Sequence, residues 1–289
     1  MRVLIIGGSG LVGGNIHQLF QEEQPFWNIC STHRNYATAH TVAFDPCTSM
    51  EEWPTYITSI DWNVIIHTGA LTHVDRCETE PELSYLQTVV STQNLVAFAN
   101  QKNSRFIYIS TDYVFDGTCG PYDEAAPVKP LNIYGQHKLL AEKLVAEGCD
   151  EQGYLIIRIT NVYGNEERGK NYVLRTIGQI KEGVSNFSAP FDQYATPINA
   201  TDIARAILLL INGMKKGVYH LASTDYLSRV QLLQRISIAL NIPIKVSAVA
   251  TNELNQPAAR PLKGGLFAQR FLMEFPDFKF SNLDDFLRK

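Results

Sequence analysis

Features that would place this chain outside the ordinary globular proteins are scarce. Its five cysteines among 289 residues are scattered and never spaced as Cys-x-x-Cys. Neither a disulfide framework nor a zinc site is therefore predicted, and a reducing cytoplasm is expected. The longest apolar runs, such as AILLLI, are far too short to cross a bilayer. The MRVLIIGG start carries no basic leader followed by a long apolar core. We therefore expect an unsecreted, cytoplasmic protein with no membrane partner.

An excess of basic residues is also lacking. The sequence has 25 Lys plus Arg against 29 Asp plus Glu, a net charge of -4, which argues against a general nucleic-acid binder. Its 45% apolar and 19% charged residues are ordinary for a globular protein. The length suits one large domain, or one and a half, with a sizeable core. No internal repeat or low-complexity segment is present.

A glycine-rich stretch follows the first apolar run. Residues 3–6 have the composition of a buried parallel strand and enter GGSGLVGG directly, followed by the amphipathic NIHQLFQEE. Glycines at such a junction let the backbone turn tightly and approach a pyrophosphate, which rests on the N-terminus of the helix. The residues predicted to bind the dinucleotide here are Gly7, Gly10, Leu11, Val12 and Gly13.

The next two strands are expected to end beside the adenosine half of the cofactor. The strand over residues 28–32 leads into Arg34, where an NAD site usually has an acidic residue, and a cation there suits the 2′-phosphate of NADP. Arg34 as a solvated surface residue is the alternative. Asp45 follows the strand over residues 42–44, and either reaches the adenine edge or begins a turn before a predicted helix over residues 49–59.

The fourth predicted strand, over residues 64–66, ends in small residues. Gly69 and Ala70 permit close approach of the cofactor, and Thr72 and Asp75 are placed to face a substrate. His73 is interpreted as a loop histidine rather than a catalytic base. A long helix is predicted from residue 81.

Candidate catalytic residues lie between residues 105 and 145. An apolar strand over residues 106–109 is followed by Thr111 and Asp112, and Tyr134 and Lys138 share one face of a later helix. An ammonium one turn from a phenol, whose ordinary pKa is about 10, favours the phenolate. Thr111 can then share a substrate carbonyl oxygen with Tyr134. Because a Tyr–Lys pair is common in helices by chance, the pair gains weight only from the glycine motif.

Strands alternate with helices up to about residue 147, which indicates an α/β fold with a doubly wound parallel sheet of Rossmann type. Later elements include a strand from residue 154, helices beginning near Asn199 and Ser228, and a strand over residues 217–223. We predict a mainly dinucleotide-binding domain over residues 1–160. Residues 161–289 are predicted to form mainly a smaller C-terminal substrate lobe, interleaved with the sheet. The natural cleft lies between the two.

Several motifs resemble those of the dTDP-4-dehydrorhamnose reductase family of extended short-chain dehydrogenases. They are GGSGLVGG, STDYVFDG, PLNIYGQHKLLAE, RITNVYG, DQYATP, GVYHLA and ARPLKGGL, in this order along nearly the whole chain. The resemblance implies a Rossmann domain for NADP(H), or NAD(H), and a lobe for a nucleotide-sugar partner. It implies that Thr111, Tyr134 and Lys138 are catalytic: Tyr134 donates a proton and Lys138 lowers the tyrosine pKa and holds the cofactor ribose.

The same resemblance implies a set of substrate contacts. Asp112 and Tyr113 fit the reductase form of the motif, because the related 4,6-dehydratases have a Glu where this chain has Tyr113. Arg260 corresponds to a basic position near the nucleotide diphosphate, in a loop that also contains Lys263. The full predicted substrate set is Thr72, Asp112, Tyr113, Asn161, Asn171, Gln193 and Arg260.

Three positions depart from the family pattern. Asn161 stands where rhamnose enzymes usually have a tryptophan against the sugar, which suggests a different sugar or no turnover. Thr88 replaces a frequent Asn, with a possible effect on the water path that re-protonates the lysine. Asn15 replaces a glutamate that helps some reductases bind a dimer-bridging magnesium, so no metal site is predicted, although a homodimer stays open.

Three functional hypotheses follow. The first is an NADP-preferring reductase that converts dTDP-4-dehydrorhamnose to dTDP-L-rhamnose for cell-surface polysaccharide synthesis. The second is a reductase or epimerase of another nucleotide sugar. The third, from another class, is a non-catalytic NADP-binding regulatory subunit like the beta subunit of methionine adenosyltransferase.

Overall fold

A computed structural model describes residues 1–150 and 153–288. In chain order the strands are β1 (Arg2–Ile6), β2 (Asn28–His33), β3 (Thr41–Ala43), β4 (Val64–His67), β5 (Arg105–Thr111), β6 (Tyr154–Ile159), β7 (Asn186–Pro190), β8 (Tyr194–Ala195), β9 (Gly217–His220), β10 (Leu227–Ser228) and β11 (Lys245–Val249). Seven of them form a parallel sheet in the order β3-β2-β1-β4-β5-β6-β9. The predicted Rossmann-type fold is therefore confirmed.

Helices cover both faces of this sheet. In chain order they are α1 (Leu11–Glu23), α2 (Thr55–Thr58), α3 (Val74–Thr79), α4 (Pro81–Tyr85), α5 (Ser91–Gln101), α6 (Ile133–Gly148), α7 (Tyr172–Lys181), α8 (Ala200–Asn212), α9 (Arg229–Leu240), α10 (Gln269–Glu274) and α11 (Leu283–Leu287). Within the described residues, none of them is long and apolar enough to cross a membrane.

Two apolar layers hold the sheet between its helices. On one face, Ile16 of α1 and Ile207 of α8 pack in a single core with the sheet residues Val3 and Ile5. On the other face, α5 and α6 pack against the alternate residues of the same strands. Every residue of β5 is buried, as expected for a central parallel strand covered on both sides.

The prediction of one helix over residues 49–59 is wrong. A 3-10 turn (Met50–Glu52) is followed by the four-residue α2, with Pro54 between them. Proline has no backbone N–H and disfavours helical geometry in the residue before it, so the two turns do not fuse. The long helix predicted from residue 81 is present as α4 and α5, joined by a π-helical segment (Leu86–Val90).

The second half of the chain adds a smaller group of elements. β7 pairs with β11 and β8 pairs with β10, in two small sheets that the sequence did not predict. β7 and β11 are short and partly exposed, and β8 and β10 have only two residues each. The predicted starts of α8 and α9 are confirmed, with Asn199 and Ser228 as N-caps. β9 joins the central sheet beside β6, and α8 packs against α1. Later segments are thus interwoven with the sheet.

Candidate active site

The strand order reverses between β1 and β4, and the glycine-rich loop follows β1 at this point. Gly7 has φ +84°, and a Cβ there would lie 2.8 Å from Thr68 Oγ1 and 3.0 Å from the Gly69 nitrogen. A Cβ at Gly13 would lie 2.5 Å from the Gly7 oxygen. The loop thus requires glycine both for its backbone conformation and for its packing against the end of β4. Ala70 follows Gly69 at that strand end.

The N-terminus of α1 is open to an anion. Its N-cap, Gly10, supplies no side-chain hydrogen bond, and the first turn contains no acidic residue. A Cβ at Gly10 would approach only the Gly7 oxygen, at 3.3 Å. The helix starting at Leu11 and Val12 therefore directs free amides and the positive end of its dipole outward. These residues fit the pyrophosphate of a dinucleotide.

Arg34 and Asp45 lie at the ends of β2 and β3 and pair with each other. Arg34 Nε is 2.9 Å from Asp45 Oδ2, and each side chain is about a third exposed. Asp45 also accepts a 3.0 Å hydrogen bond from the Cys47 backbone N–H, so it does form the turn. Both residues line a cavity of about 360 Å³ together with Phe44 and Trp53. Their predicted roles toward ribose and adenine stay predictions.

Thr111 and Tyr134 come together at the carboxyl end of β5. Thr111 is the last residue of β5, and Tyr134 lies in the first turn of α6, whose N-cap Asn132 accepts a 2.8 Å hydrogen bond from the Gly135 N–H. The Thr111 hydroxyl accepts a 3.2 Å hydrogen bond from the Tyr113 N–H, and the Tyr113 ring lies 5.5 Å from that of Tyr134. Burial raises the pKa of Tyr134. A half-buried, protonated phenol near a threonine hydroxyl can bind a carbonyl oxygen and donate a proton to it.

Lys138 lies one turn further along α6. Its Nζ donates a 2.5 Å hydrogen bond to the Ile109 carbonyl and lies 4.1 Å from the centroid of the Tyr108 ring. Burial lowers the pKa of Lys138 to about 7, and the nearby Glu142 acts in the opposite direction. The ammonium is thus bonded to the backbone of β5, and its predicted effect on the Tyr134 phenol stays a prediction.

Asp112 is buried, and its carboxylate accepts hydrogen bonds from two threonine hydroxyls and one backbone N–H. Its Oδ2 accepts hydrogen bonds from the Gly265 N–H at 3.0 Å and the Thr160 hydroxyl at 2.8 Å, and its Oδ1 from the Thr111 hydroxyl at 3.4 Å. Burial raises the pKa of this carboxyl group. In this structure Asp112 joins β5, the end of β6 and the loop over residues 257–265, and this accounts for its position independently of any substrate.

Arg260, in the same loop, is paired rather than free. Its Nη2 lies 2.7 Å from Asp75 Oδ2, and its Nη1 donates to the Ala258 carbonyl at 2.8 Å. Burial raises the pKa of Tyr113. The positive charge of Arg260 lowers this pKa, and the negative charge of Asp75 raises it. The ring of Tyr113 lies 5.5 Å from that of Tyr134.

The remaining predicted contacts are dispersed. Asn171 caps α7, accepting from the Leu174 N–H at 3.1 Å, and Gln193 donates to the Thr251 hydroxyl at 3.1 Å. Both amides thus have partners inside the C-terminal half. Thr72 is exposed, and His73 caps α3 by accepting from the Arg76 N–H at 3.1 Å, which agrees with its interpretation as a loop histidine.

Asn161 has a partner that the sequence analysis missed. It adopts φ +43°, in the left-handed region, and its Oδ1 accepts a 2.7 Å hydrogen bond from Arg229 Nη2. The Arg229 guanidinium carbon lies 4.8 Å from the centroid of the Tyr172 ring. Arg229 directly follows the N-cap Ser228, so in the sequence it looks like an ordinary first helical residue. No signal within its own segment points to Asn161.

Comparison with known proteins assigns the family. The model of the RmlD substrate binding domain matches residues 1–281. The chain belongs to this family. The dTDP-4-dehydrorhamnose reductase of Escherichia coli (strain K12) is 30% identical over 298 residues, covering 96% of this chain and 95% of that protein. The methionine adenosyltransferase 2 subunit beta of Xenopus laevis is 31% identical over 269 residues, covering 90% and 78%. The family resemblance inferred from the motifs is confirmed.

Solved structures of this family superpose on nearly the whole chain. The dTDP-4-dehydrorhamnose reductase of Bacillus anthracis str. Ames, in complex with NADP, has a TM-score of 0.87 at 28% identity, covering 99% of this chain and 96% of that one. A dTDP-4-dehydrorhamnose reductase of Clostridium acetobutylicum has a TM-score of 0.87 at 27% identity, covering 100% and 97%.

Of the departures from the family pattern, Asn15 has a local explanation and Thr88 has none. Asn15 links three segments, donating to the Asn165 carbonyl at 2.9 Å and accepting from the Thr201 hydroxyl at 3.0 Å. Thr88 is buried in the π-helical segment, and its hydroxyl has no hydrogen-bond partner among the described residues. Within residues 1–150 and 153–288, no group of three or more His, Cys, Asp or Glu is arranged to hold a metal ion.

Proposed function

We propose that the protein is an NAD(P)H-dependent reductase of the C4 keto group of a nucleotide-linked 4-dehydro-6-deoxy sugar. The first substrate to test is dTDP-4-dehydrorhamnose, with dTDP-L-rhamnose as the product. The observation that carries the proposal is the arrangement at the carboxyl end of β5. Thr111 ends the strand, and its hydroxyl accepts a 3.2 Å hydrogen bond from the Tyr113 N–H. The ring of Tyr113 lies 5.5 Å from that of the half-buried Tyr134, in the first turn of α6. Thr111 and Tyr134 stand at the edge of the sheet that also presents the glycine-rich loop. The similarity to two named dTDP-4-dehydrorhamnose reductases supports it.

The proposed chemistry needs little from the protein beyond binding and one proton. Thr111 and Tyr134 bind the carbonyl oxygen, and Tyr134 transfers its proton to that oxygen as negative charge develops there. Because burial raises the pKa of Tyr134, the phenol is in its proton-donating form at neutral pH. When bound, the reduced nicotinamide supplies the hydride. Lys138 is assigned to the cofactor ribose and to the supply of the next proton.

The cofactor site is assigned to the residues around the reversal of strand order. The free amides at the start of α1 hold the pyrophosphate, and the absence of bulky side chains at Gly69 and Ala70 allows close approach. Arg34 is assigned to the 2′-phosphate, so NADP(H) is the preferred cofactor and NAD(H) a weaker one. The complex of a family member with NADP supports this choice.

The deciding experiment is NADPH oxidation, followed by absorbance, with dTDP-4-dehydro-6-deoxy-L-mannose generated in situ and NADH run in parallel. Oxidation that yields dTDP-L-rhamnose is expected, faster with NADPH. Tyr134→Phe serves as the inactive control, so that slow oxidation by other components is subtracted. Tight NADPH binding without oxidation would contradict the proposal for this sugar.

A second candidate belongs to another functional class. A methionine adenosyltransferase 2 subunit beta is about as similar to this chain as the reductases are. We therefore also consider a cofactor-binding regulatory subunit. Its test is co-purification with a methionine adenosyltransferase catalytic subunit, combined with no turnover of any keto sugar. A third candidate, a reductase or epimerase of another nucleotide sugar, rests on Asn161, and the stereochemistry of the product separates it from the first.

A further inference from the structure

Arg229 lies among residues of the proposed sugar site although it comes from a distant segment. Its guanidinium donates to Asn161 Oδ1 at 2.7 Å and stacks over Tyr172 at 4.8 Å. Its charge also acts on the phenol of Tyr113, whose ring is 5.5 Å from that of Tyr134.

The position of the guanidinium is fixed from two sides. Asn161 comes directly after Thr160, whose hydroxyl bonds to the carboxylate of Asp112 next to Thr111. The left-handed backbone of Asn161 directs its amide oxygen to Arg229. The ring of Tyr172 at the start of α7 provides the second contact. Such a held guanidinium loses less conformational entropy on binding a ligand than a free side chain does.

The charge of Arg229 has no counter-ion in the part of the chain that the structure describes. The neighbouring arginines do have one: Arg235 pairs with Asp225 at 2.8 Å and Arg260 with Asp75 at 2.7 Å. Arg229 is only half-buried, and its single protein hydrogen bond goes to a neutral amide. The other N–H groups of the guanidinium make no hydrogen bond within the described residues.

We propose that Arg229 is an anion-binding, specificity-determining residue of the substrate site, positioned by Asn161 and Tyr172. The inference rests on the proposed function, since it assigns a charge to the ligand of that same site. A planar guanidinium binds a carboxylate or phosphate oxygens through paired hydrogen bonds. The diphosphate of a nucleotide sugar has this chemistry. A carboxylate on the sugar also has it, but only in a uronic acid and not in the 6-deoxy sugar of the proposed function.

The test compares dissociation constants, measured by calorimetry on the NADPH-bound protein, for two pairs of ligands. UDP-glucose and UDP-glucuronic acid differ only in a carboxylate, whereas dTDP and dTMP differ only in one phosphate. Arg229→Gln is expected to lower the affinity for the ligands that carry the recognised carboxylate or diphosphate roughly ten- to hundredfold. Arg175→Gln is the matched control, because this exposed arginine approaches the same Tyr172 ring at 5.8 Å. It is expected to change affinity less than about twofold.

The pattern of losses identifies the source of the anion. If Arg229→Gln loses affinity for UDP-glucuronic acid but not for UDP-glucose, Arg229 binds a sugar carboxylate. If the variant loses affinity for every ligand except dTMP, Arg229 binds the diphosphate. Equal losses below about twofold for every ligand overturn the proposal while leaving the proposed function intact. If the wild-type protein binds none of the nucleotides, the proposed function fails and this assignment fails with it.

A second variant covers the case in which Arg229→Gln does not fold, as judged by lost NADPH binding. Asn161→Gly retains the guanidinium and removes only its anchor, in a backbone conformation that glycine adopts readily. It is expected to weaken the same ligand about threefold or more. Unchanged affinity in this variant, with NADPH still bound, would contradict the positioning role of Asn161.

Discussion

Arg34 and Asp45 form an ion pair of 2.9 Å that joins the end of β2 to the end of β3. These are the two residues that the sequence assigned to the adenosine half of the cofactor. Since Asp45 also holds the following turn through the Cys47 N–H, the carboxylate keeps the guanidinium at the cavity lined by both residues. The pair therefore positions a cation where a 2′-phosphate is proposed to bind.

Replacing Arg34 with alanine is expected to lower the affinity for NADPH roughly ten- to hundredfold. The affinity for NADH should fall less than about threefold, because only NADPH has the 2′-phosphate. Dissociation constants from nucleotide fluorescence provide the measurement. Arg76→Ala, which removes an exposed ion pair with Glu80, serves as the control and should leave both affinities unchanged. Equal losses for NADPH and NADH would mean that Arg34 does not contact the phosphate.

Tyr134→Phe removes the proposed proton donor and keeps the ring. Turnover is expected to fall by about 10² to 10⁴, since this is the usual contribution of a general acid, while NADPH affinity stays within about twofold. Steady-state kinetics with calorimetry of NADPH provide both numbers. Tyr85→Phe, at an exposed tyrosine against His137, is the control. Unchanged turnover in Tyr134→Phe would remove this residue from the mechanism.

The alternation of strands and helices in the central parallel sheet could be predicted because its signals are local. Short apolar runs end in glycine or in small polar residues, and each is followed by a segment of helical periodicity. The prediction failed where a local feature opposed the pattern, as at Pro54, which interrupts the helix predicted over residues 49–59. It also missed β7 and β11, whose half-exposed residues lack a continuous apolar run.

Within the site, the sequence predicted best where secondary structure alone brings residues together. Thr111 ends a central strand and Tyr134 begins the helix that returns over it, so their proximity follows from the fold class. The partners of the predicted substrate residues could not be foreseen. Asn161 and Arg229 are 68 positions apart, and Asp75 and Arg260 are 185 apart. Such pairs depend on how the C-terminal segments pack on the sheet, for which no local pattern gives a distance.

The buried His17 predicts how stability responds to acid. Burial and the stacked ring of His40 lower its pKa from the ordinary 6.5 to about 4. Between these two values the unfolded chain binds a proton that the folded protein excludes, so the free energy of unfolding decreases as pH falls from about 6.5 to about 4. His17→Asn, which keeps a donor near Ser31, should lose about 1 to 2 kcal/mol less than wild type between pH 7 and pH 5. Urea unfolding at both pH values measures this, and equal losses in the two proteins would contradict it.

The left-handed backbone at Asn161 gives the sharpest prediction about stability. At φ +43° a leucine meets a conformational cost of roughly 1 to 2 kcal/mol that glycine avoids. Both substitutions remove the hydrogen bond to Arg229, so this loss cancels when the two variants are compared. Asn161→Leu is therefore expected to unfold about 1 kcal/mol more easily than Asn161→Gly in urea.

The control for this comparison is the same pair of substitutions at Gln179, an exposed position inside α7. There the order should reverse, because leucine is favoured over glycine in a helix by about 0.5 to 1 kcal/mol. If glycine is the more stable variant at Asn161 and leucine the more stable one at Gln179, the backbone conformation rather than side-chain size decides the result at Asn161. If leucine were as stable as glycine at Asn161, the backbone there would not hold a left-handed conformation, and the fixed position of Arg229 would need another cause.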